Sequence, residues 1–138
     1  IKKRIICDEA WMLVSKNMAG HEFTATFLEN CARRIRKRNG GLLVASQNFS
    51  EFAESSQGRA VLTNTTLKIF LKQNSTDIDA VQEAFRLSDG EKSFLLSAKK
   101  GSMLIKLNDD DVIATAMPSD FERDLISIAR VVEPTKNT

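Results

Sequence analysis

The apolar positions change period along the chain, and the changes mark out alternating strands and helices. Arg4 leads into Ile5, Ile6 and Cys7, a short apolar run that stops on Asp8-Glu9. So short a continuous run predicts a buried parallel strand from Arg4 to Cys7, with two acids at its carboxyl end. Ala10 to Lys16 predicts a short helix with Trp11 and Val14 on its apolar side. From Glu22 to Arg38, Phe23, Phe27, Cys31 and Ile35 recur at every fourth position, with Thr24 and Leu28 beside them. That spacing predicts a long helix with those residues on its core face. Asn39-Gly40-Gly41 is expected to stop it, because glycine follows helix ends readily. Leu42 to Ala45 predicts a second buried strand, closing on Ser46-Gln47. Asn48, with Glu51 three residues on, predicts the cap of a short helix that Gly58 should end.

The second half changes its rhythm. In Thr66 to Lys72, Leu67, Ile69 and Leu71 alternate with Lys68 and Phe70, the period of a third strand. Asp77 to Phe85 predicts a helix, and Ser88 with Glu91 opens another that ends near Lys99-Lys100-Gly101. Ser102 to Leu107 and Val112 to Ala116 flank Asn108-Asp109-Asp110-Asp111, which predicts an antiparallel hairpin. Pro118-Ser119 with Glu122 opens a last helix reaching about Arg130. The expected fold is α/β and layered, mainly parallel strands with an antiparallel hairpin at one edge. Residues 1–132 are expected to form one domain and 133–138 a flexible tail.

Composition narrows the function only a little. The 138 residues suffice for one domain with a real core, and 42% hydrophobic with 28% charged is ordinary for a soluble globular domain. A net charge of +2 argues for neither nucleic acid nor membrane by itself. Cys7 and Cys31 lack metal-ligand spacing and fit a reducing compartment, while a lone His21 removes most histidine-based metal sites. No apolar run approaches the roughly 20 residues that span a bilayer. No signal peptide precedes the first strand, and a start at Ile1 suggests a piece of something longer.

Three features carry candidate chemistry, and an open parallel sheet presents ligands at the carboxyl ends of its strands. Hydrolysing a nucleotide needs an acid to hold Mg²⁺, usually through water, and a carboxylate to orient the attacking water. Asp8 and Glu9 can divide those tasks; the plain reading is a strand-end acid pair facing solvent. Gln47 can both donate and accept, which suits a sensor of a terminal phosphate; the plain reading is a loop glutamine. The run Arg33-Arg34-Ile35-Arg36-Lys37-Arg38 spreads cations over a helix end, with Ile35 toward the core. It suits an arginine finger reaching a neighbour's nucleotide, a phosphate-backbone contact with nucleic acid, or simple complement to the helix dipole. Residue types alone leave those three open. Nothing in the chain matches Gly-x-x-x-x-Gly-Lys-Ser/Thr, the loop whose amides cradle phosphates.

Taken together, these segments resemble the HerA/FtsK superfamily of RecA-like motor ATPases, and within it the VirB-type conjugation and type IV secretion branch. The resemblance runs from about Arg4 to Ser127. Ile5-Ile6-Cys7-Asp8-Glu9-Ala10-Trp11-Met12-Leu13 is similar to that branch's Walker B segment, with its Asp-Glu-Ala-Trp. Arg36 to Gln47 is similar to the stretch joining the family's arginine to its glutamine. Asn64 to Leu71 and Pro118 to Glu122 also match. Cys7 stands where an aliphatic is usual, and Ser46 where threonine is common.

The resemblance implies a RecA-like P-loop NTPase sheet, of which this chain is the C-terminal portion without its Walker A loop. It implies ATP and Mg²⁺ as ligands, with Asp8 in the metal role, Glu9 the catalytic base, Gln47 the γ-phosphate sensor and Arg36 the finger. Arg33, Arg34 and Arg38 compete for that last place. The implied setting is a homo-hexameric ring on the inner face of the cell membrane, working with conjugation or secretion channel components. This piece alone is expected to be inactive. A DNA-pumping translocase or coupling protein of the same superfamily is the near alternative, distinguished by stimulation with DNA. A non-enzymatic nucleic-acid module built on Arg33 to Arg38 is the distant one, poorly supplied with aromatic stacking surfaces. A degenerate partner domain without turnover is a further reading, against which intact Asp8, Glu9 and Gln47 argue.

Overall fold

The computed structural model describes residues 2–108 and 110–131, with side chains as far as Leu125. Its first half runs β1 (Lys3–Cys7), α1 (Trp11–Val14), α2 (His21–Arg34), a 3-10 turn (Ile35–Arg38), β2 (Gly40–Val44), α3 (Phe49–Glu54) and α4 (Ser56–Asn64). The second half runs β3 (Leu67–Phe70), α5 (Ile78–Phe85), α6 (Asp89–Ser97), β4 (Ser102–Leu107), β5 (Asp110–Thr115) and α7 (Asp120–Val131). The expected tail at 133–138 lies outside the described residues. Among the described residues no helix is long and apolar enough to cross a membrane.

The layered α/β arrangement holds, with two sheets. β1 and β2 pair in parallel, Lys3 opposite Gly40 through Cys7 opposite Val44, with α2 in the crossover. β3, β4 and β5 form a separate antiparallel sheet in that order. The third strand therefore does not extend the parallel pair; Leu67 to Phe70 runs against Leu107 to Leu104 and joins the hairpin. Neither parallel strand is buried on both faces as expected. Ile5, Cys7, Leu42 and Val44 turn inward, while Ile6 and Leu43 are exposed.

Two helix expectations also change. On α2 the buried residues are Ala25 and Leu28, with Ala32 packed beside them, whereas Phe23 is 79% exposed and Phe27 50%. Positions 25, 28 and 32 share the three-and-four spacing of a helix face, and two alanines let α2 lie close against its neighbours. The four-residue repeat of larger side chains marked the adjacent stripe. Gly58 does not end a helix: it is buried inside α4. A Cβ there would lie 1.8 Å from the Phe52 carbonyl oxygen, so the glycine serves a close crossing of α3 and α4. Ser55 makes the break, extended and accepting from the Gly58 N–H at 2.8 Å. The long helix ends at Arg34 in a 3-10 turn, and Asn39 rather than a glycine takes the left-handed conformation after it, at φ 53°. Gly40 is required for another reason, since a Cβ would meet Ile35 Cγ1 at 2.4 Å.

On β3 the inward side is Phe70 with part of Lys68, and Leu67 and Ile69 face out. An aromatic contact fixes this side: the Phe70 and Phe85 rings lie 4.8 Å apart, edge to face, and Lys68 Nζ stands 6.0 Å from the Phe85 centroid. The capping pairs appear as expected, Asn48 with Glu51, Ser88 with Glu91 and Ser119 with Glu122. One core gathers Ala10, Val14, Ala25, Leu28, Phe52 and Val61 beneath the parallel pair. The other gathers Phe70, Ile78, Val81, Leu87, Leu95 and Leu104 under the antiparallel sheet. Phe49 packs on the second and Phe52 belongs to the first, so α3 joins them.

Candidate functional site

Where β1 ends, the chain is held to β2 at two points that leave Asp8 and Glu9 between them. The Ala45 N–H donates to the Cys7 carbonyl at 2.8 Å, and the Ala10 N–H donates to the Ala45 carbonyl at 2.9 Å. Ala10 is fully buried, so this turn is fixed from below. To span the gap Glu9 adopts φ 49°, a left-handed conformation that costs a residue with a Cβ about 1–2 kcal/mol. The Glu9 N–H is satisfied by Asp8 Oδ1 at 2.9 Å.

The Glu9 carboxylate then meets two donors. Gln47 Nε2 donates to Oε1 at 2.5 Å, and Trp11 Nε1 donates to Oε2 at 2.7 Å. Gln47 reaches this place because both sides of its loop are tied. Ala45 is bonded to β1, and Asn48 caps α3, accepting the Glu51 N–H at 3.1 Å. Asp8, Glu9 and Gln47 are thus brought together at the carboxyl ends of neighbouring parallel strands. Trp11 was expected only to pack in a helix; its indole N–H, which needs a partner when the ring is half-buried, was the signal for more.

Arg36 lies elsewhere. It sits in the 3-10 turn before β2, at the amino end of the strand whose other end leads to Gln47. A five-residue strand spans about 16 Å, so Arg36 and Glu9 stand at opposite ends of the pair. Among its rivals, Arg33 is bonded to Glu29 at 2.9 Å, and Arg34 and Arg38 line a cavity of about 410 Å³ between α2 and β1. That cavity, also lined by Lys3, Ile5 and Phe27, is not at the acid pair. Both cysteines are free thiols, and burial, then the neighbouring Cys31, pushes the Cys7 thiol up, which keeps it protonated and inert.

Among the described residues no group of three or more acidic, cysteine or histidine side chains is set to hold a metal. The donor set nevertheless fits Mg²⁺, which takes one or two carboxylates plus water and substrate phosphates. Asp8 is exposed, and with Oδ1 on the Glu9 N–H its second oxygen is available for such a water.

Comparison with known proteins bears on the family and the fold. A family model described as the TraG P-loop domain matches residues 1–116. Among solved structures, VirB4 of Thermoanaerobacter pseudethanolicus is 33% identical with a TM-score of 0.78, over 88% of this chain and 32% of its own. B204, the DNA-packaging ATPase from Sulfolobus Turreted Icosahedral Virus, is 15% identical with a TM-score of 0.57, over 84% of this chain and 52% of its own. No curated protein matches. The chain therefore spans about a third of the one structure and half of the other. The VirB4 likeness identifies the α/β architecture as RecA-like, and the viral protein shares the fold. With 116 of its 138 residues matched, the chain belongs to the TraG P-loop domain family.

Proposed function

We propose that this chain is the water-and-metal half of an ATP-hydrolysing site, and that its phosphate-binding loop comes from sequence outside these 138 residues. The observation that carries the reading is the meeting of Glu9 and Gln47, 38 positions apart, with Asp8 alongside. Glu9 takes the role of base for the attacking water, and Gln47 that of sensor for the terminal phosphate. Asp8 holds Mg²⁺ through water. The ion, when bound, neutralises charge on the phosphates. Arg36 completes the site of an adjacent subunit, which its position away from its own Glu9 favours. Such sharing requires head-to-tail contacts, which a closed ring satisfies at every site, and six copies of a RecA-like unit are the number we propose.

The work of that ring is transfer of substrate across the cell envelope, from the inner face of the membrane and against secretion-channel components. Membership of the TraG P-loop domain family, with the likeness to VirB4, supports this setting. Stimulation of turnover by DNA would move the assignment to a DNA-pumping translocase.

The test is Glu9→Gln in a protein that carries this chain behind its phosphate loop. A general base contributes about 10²–10⁴-fold, so kcat should fall by that order while ATP still binds. The 138-residue chain alone should show no turnover. Undiminished hydrolysis by the glutamine variant would remove the assignment.

A further inference from the structure

The two donors on Glu9 are not equivalent. Trp11 opens α1, and its ring packs against the core formed by Ala10, Val14, Leu28 and Phe52. Gln47 is exposed in the connection between β2 and α3. An indole offers one donor and no acceptor, so on this rigid mount it serves the carboxylate and nothing else. An amide on a loop can turn and exchange partners. With Oε1 and Oε2 each engaged by one donor, the carboxylate of Glu9 is held in one orientation.

We propose that Trp11 is a positioning residue for hydrolysis: it pins Oε2 of Glu9, so that departure of Gln47 frees Oε1 alone, already aimed. This rests on the ATPase reading above. When Gln47 turns to a terminal phosphate oxygen, Oε1 takes the proton of the attacking water. The water oxygen bonds to the γ-phosphorus, and the bridging bond breaks with its electron pair leaving on ADP. A carboxylate freed at both oxygens would instead rotate and lose its aim.

Trp11→Phe keeps a half-buried aromatic ring and removes the donor. In the loop-containing protein it should lower kcat on the order of tenfold and leave KM for ATP nearly unchanged, the pattern of a lost transition-state interaction. A second measurement reads the contact directly. Trp11 is the single tryptophan of this chain, so its indole N–H gives one resonance. That resonance should move upfield in Glu9→Gln, where the acceptor loses its charge, and stay in place in Gln47→Ala.

An indole signal indifferent to Glu9→Gln, or an unaltered kcat in Trp11→Phe, overturns the proposal while leaving the ATPase reading intact. Undiminished turnover in Glu9→Gln removes the assignment of Glu9 as base instead, and the indole signal still reports whether Trp11 holds Glu9. Should Trp11→Phe fail to fold, the resonance test decides with the tryptophan in place.

Discussion

Gln47 and Glu9 touch at 2.5 Å, so β1 and β2 are joined at their carboxyl ends by side chains as well as by backbone. A hydrogen bond to a charged group is worth about 1.5–3 kcal/mol, and in turnover the proposed sensor exchanges its bond to Glu9 for one to the charged terminal phosphate. Gln47→Ala in the loop-containing protein should therefore reduce kcat by about 10–100-fold. Gln47→Glu should do worse, because it sets a second carboxylate against the first. Steady-state ATP hydrolysis by the pair of variants checks both the size and the order. If glutamate is tolerated better than alanine, the contact does not serve turnover.

A second carboxylate governs stability. Glu91 caps α6, and Lys106 of β4 stands 3.6 Å from its Oε1 while also bonded to Asp111 of β5. Oε1 is buried without a hydrogen bond, so Lys106 is its compensation. Burial pushes the Glu91 carboxyl up, but the Ser88 backbone and hydroxyl, then Lys106 and Asp111, outweigh it and hold it below its usual value. A group lowered on folding contributes stability above its unfolded pKa of about 4.3 and loses it as pH falls through the folded value. Lys106→Met should cost about 1–3 kcal/mol at neutral pH. Urea titrations at neutral pH and at about pH 3 should show that difference shrinking with acid. A constant difference would mean that only packing was lost.

Gly58 gives the sharpest steric expectation. A Cβ added there would stand 1.8 Å from the Phe52 carbonyl oxygen, a backbone atom that cannot step aside cheaply. Gly58→Ala should destabilise by roughly 1–3 kcal/mol despite alanine's better helix propensity. Gly40→Ala should cost less, because its nearest obstacle is a side-chain atom of Ile35, at 2.4 Å, rather than a backbone atom. Thermal unfolding of the two variants side by side tests the ranking.

These cases also show what the sequence could convey. Capping pairs such as Ser88 with Glu91 and the hairpin around Asn108 are written within a few residues, and both were readable. So was the placing of Asp8 and Glu9 at a strand end. Which side of β3 turns inward was not, because it depends on Phe85, fifteen positions away, meeting Phe70. The buried stripe of α2 was missed for a similar reason: close packing favoured Ala25 and Ala32 over the larger Phe23 and Phe27. Gly58 read as a stop because its crossing partner, the Phe52 carbonyl, is a tertiary neighbour. Trp11 read as core, which it partly is, and its bond to Glu9 depends on the left-handed turn at Glu9.

Arg36 supplies the prediction that reaches beyond one subunit. The strand between it and the acid pair is longer than an extended arginine side chain, so it cannot serve its own Glu9. If it serves a neighbour's, each site takes Glu9 from one subunit and Arg36 from the next, a head-to-tail arrangement. Arg36→Ala alone should then lose about 10³–10⁵-fold in rate, as finger removal does, and Glu9→Gln alone should be nearly inactive. Mixed in equal parts, the two dead variants should recover activity. At about a quarter of the interfaces an intact Glu9 meets an intact Arg36, if subunits assort at random and contacts are head-to-tail. Hydrolysis assayed after mixing and reassembly measures this. Were the mixture as inactive as its components, with mixed rings demonstrated by tagged subunits, Arg36 would have to act within its own chain or not at all. The same assay on Arg34→Ala and Arg38→Ala then identifies the finger, since only the variant of a residue acting across the interface can be rescued by Glu9→Gln.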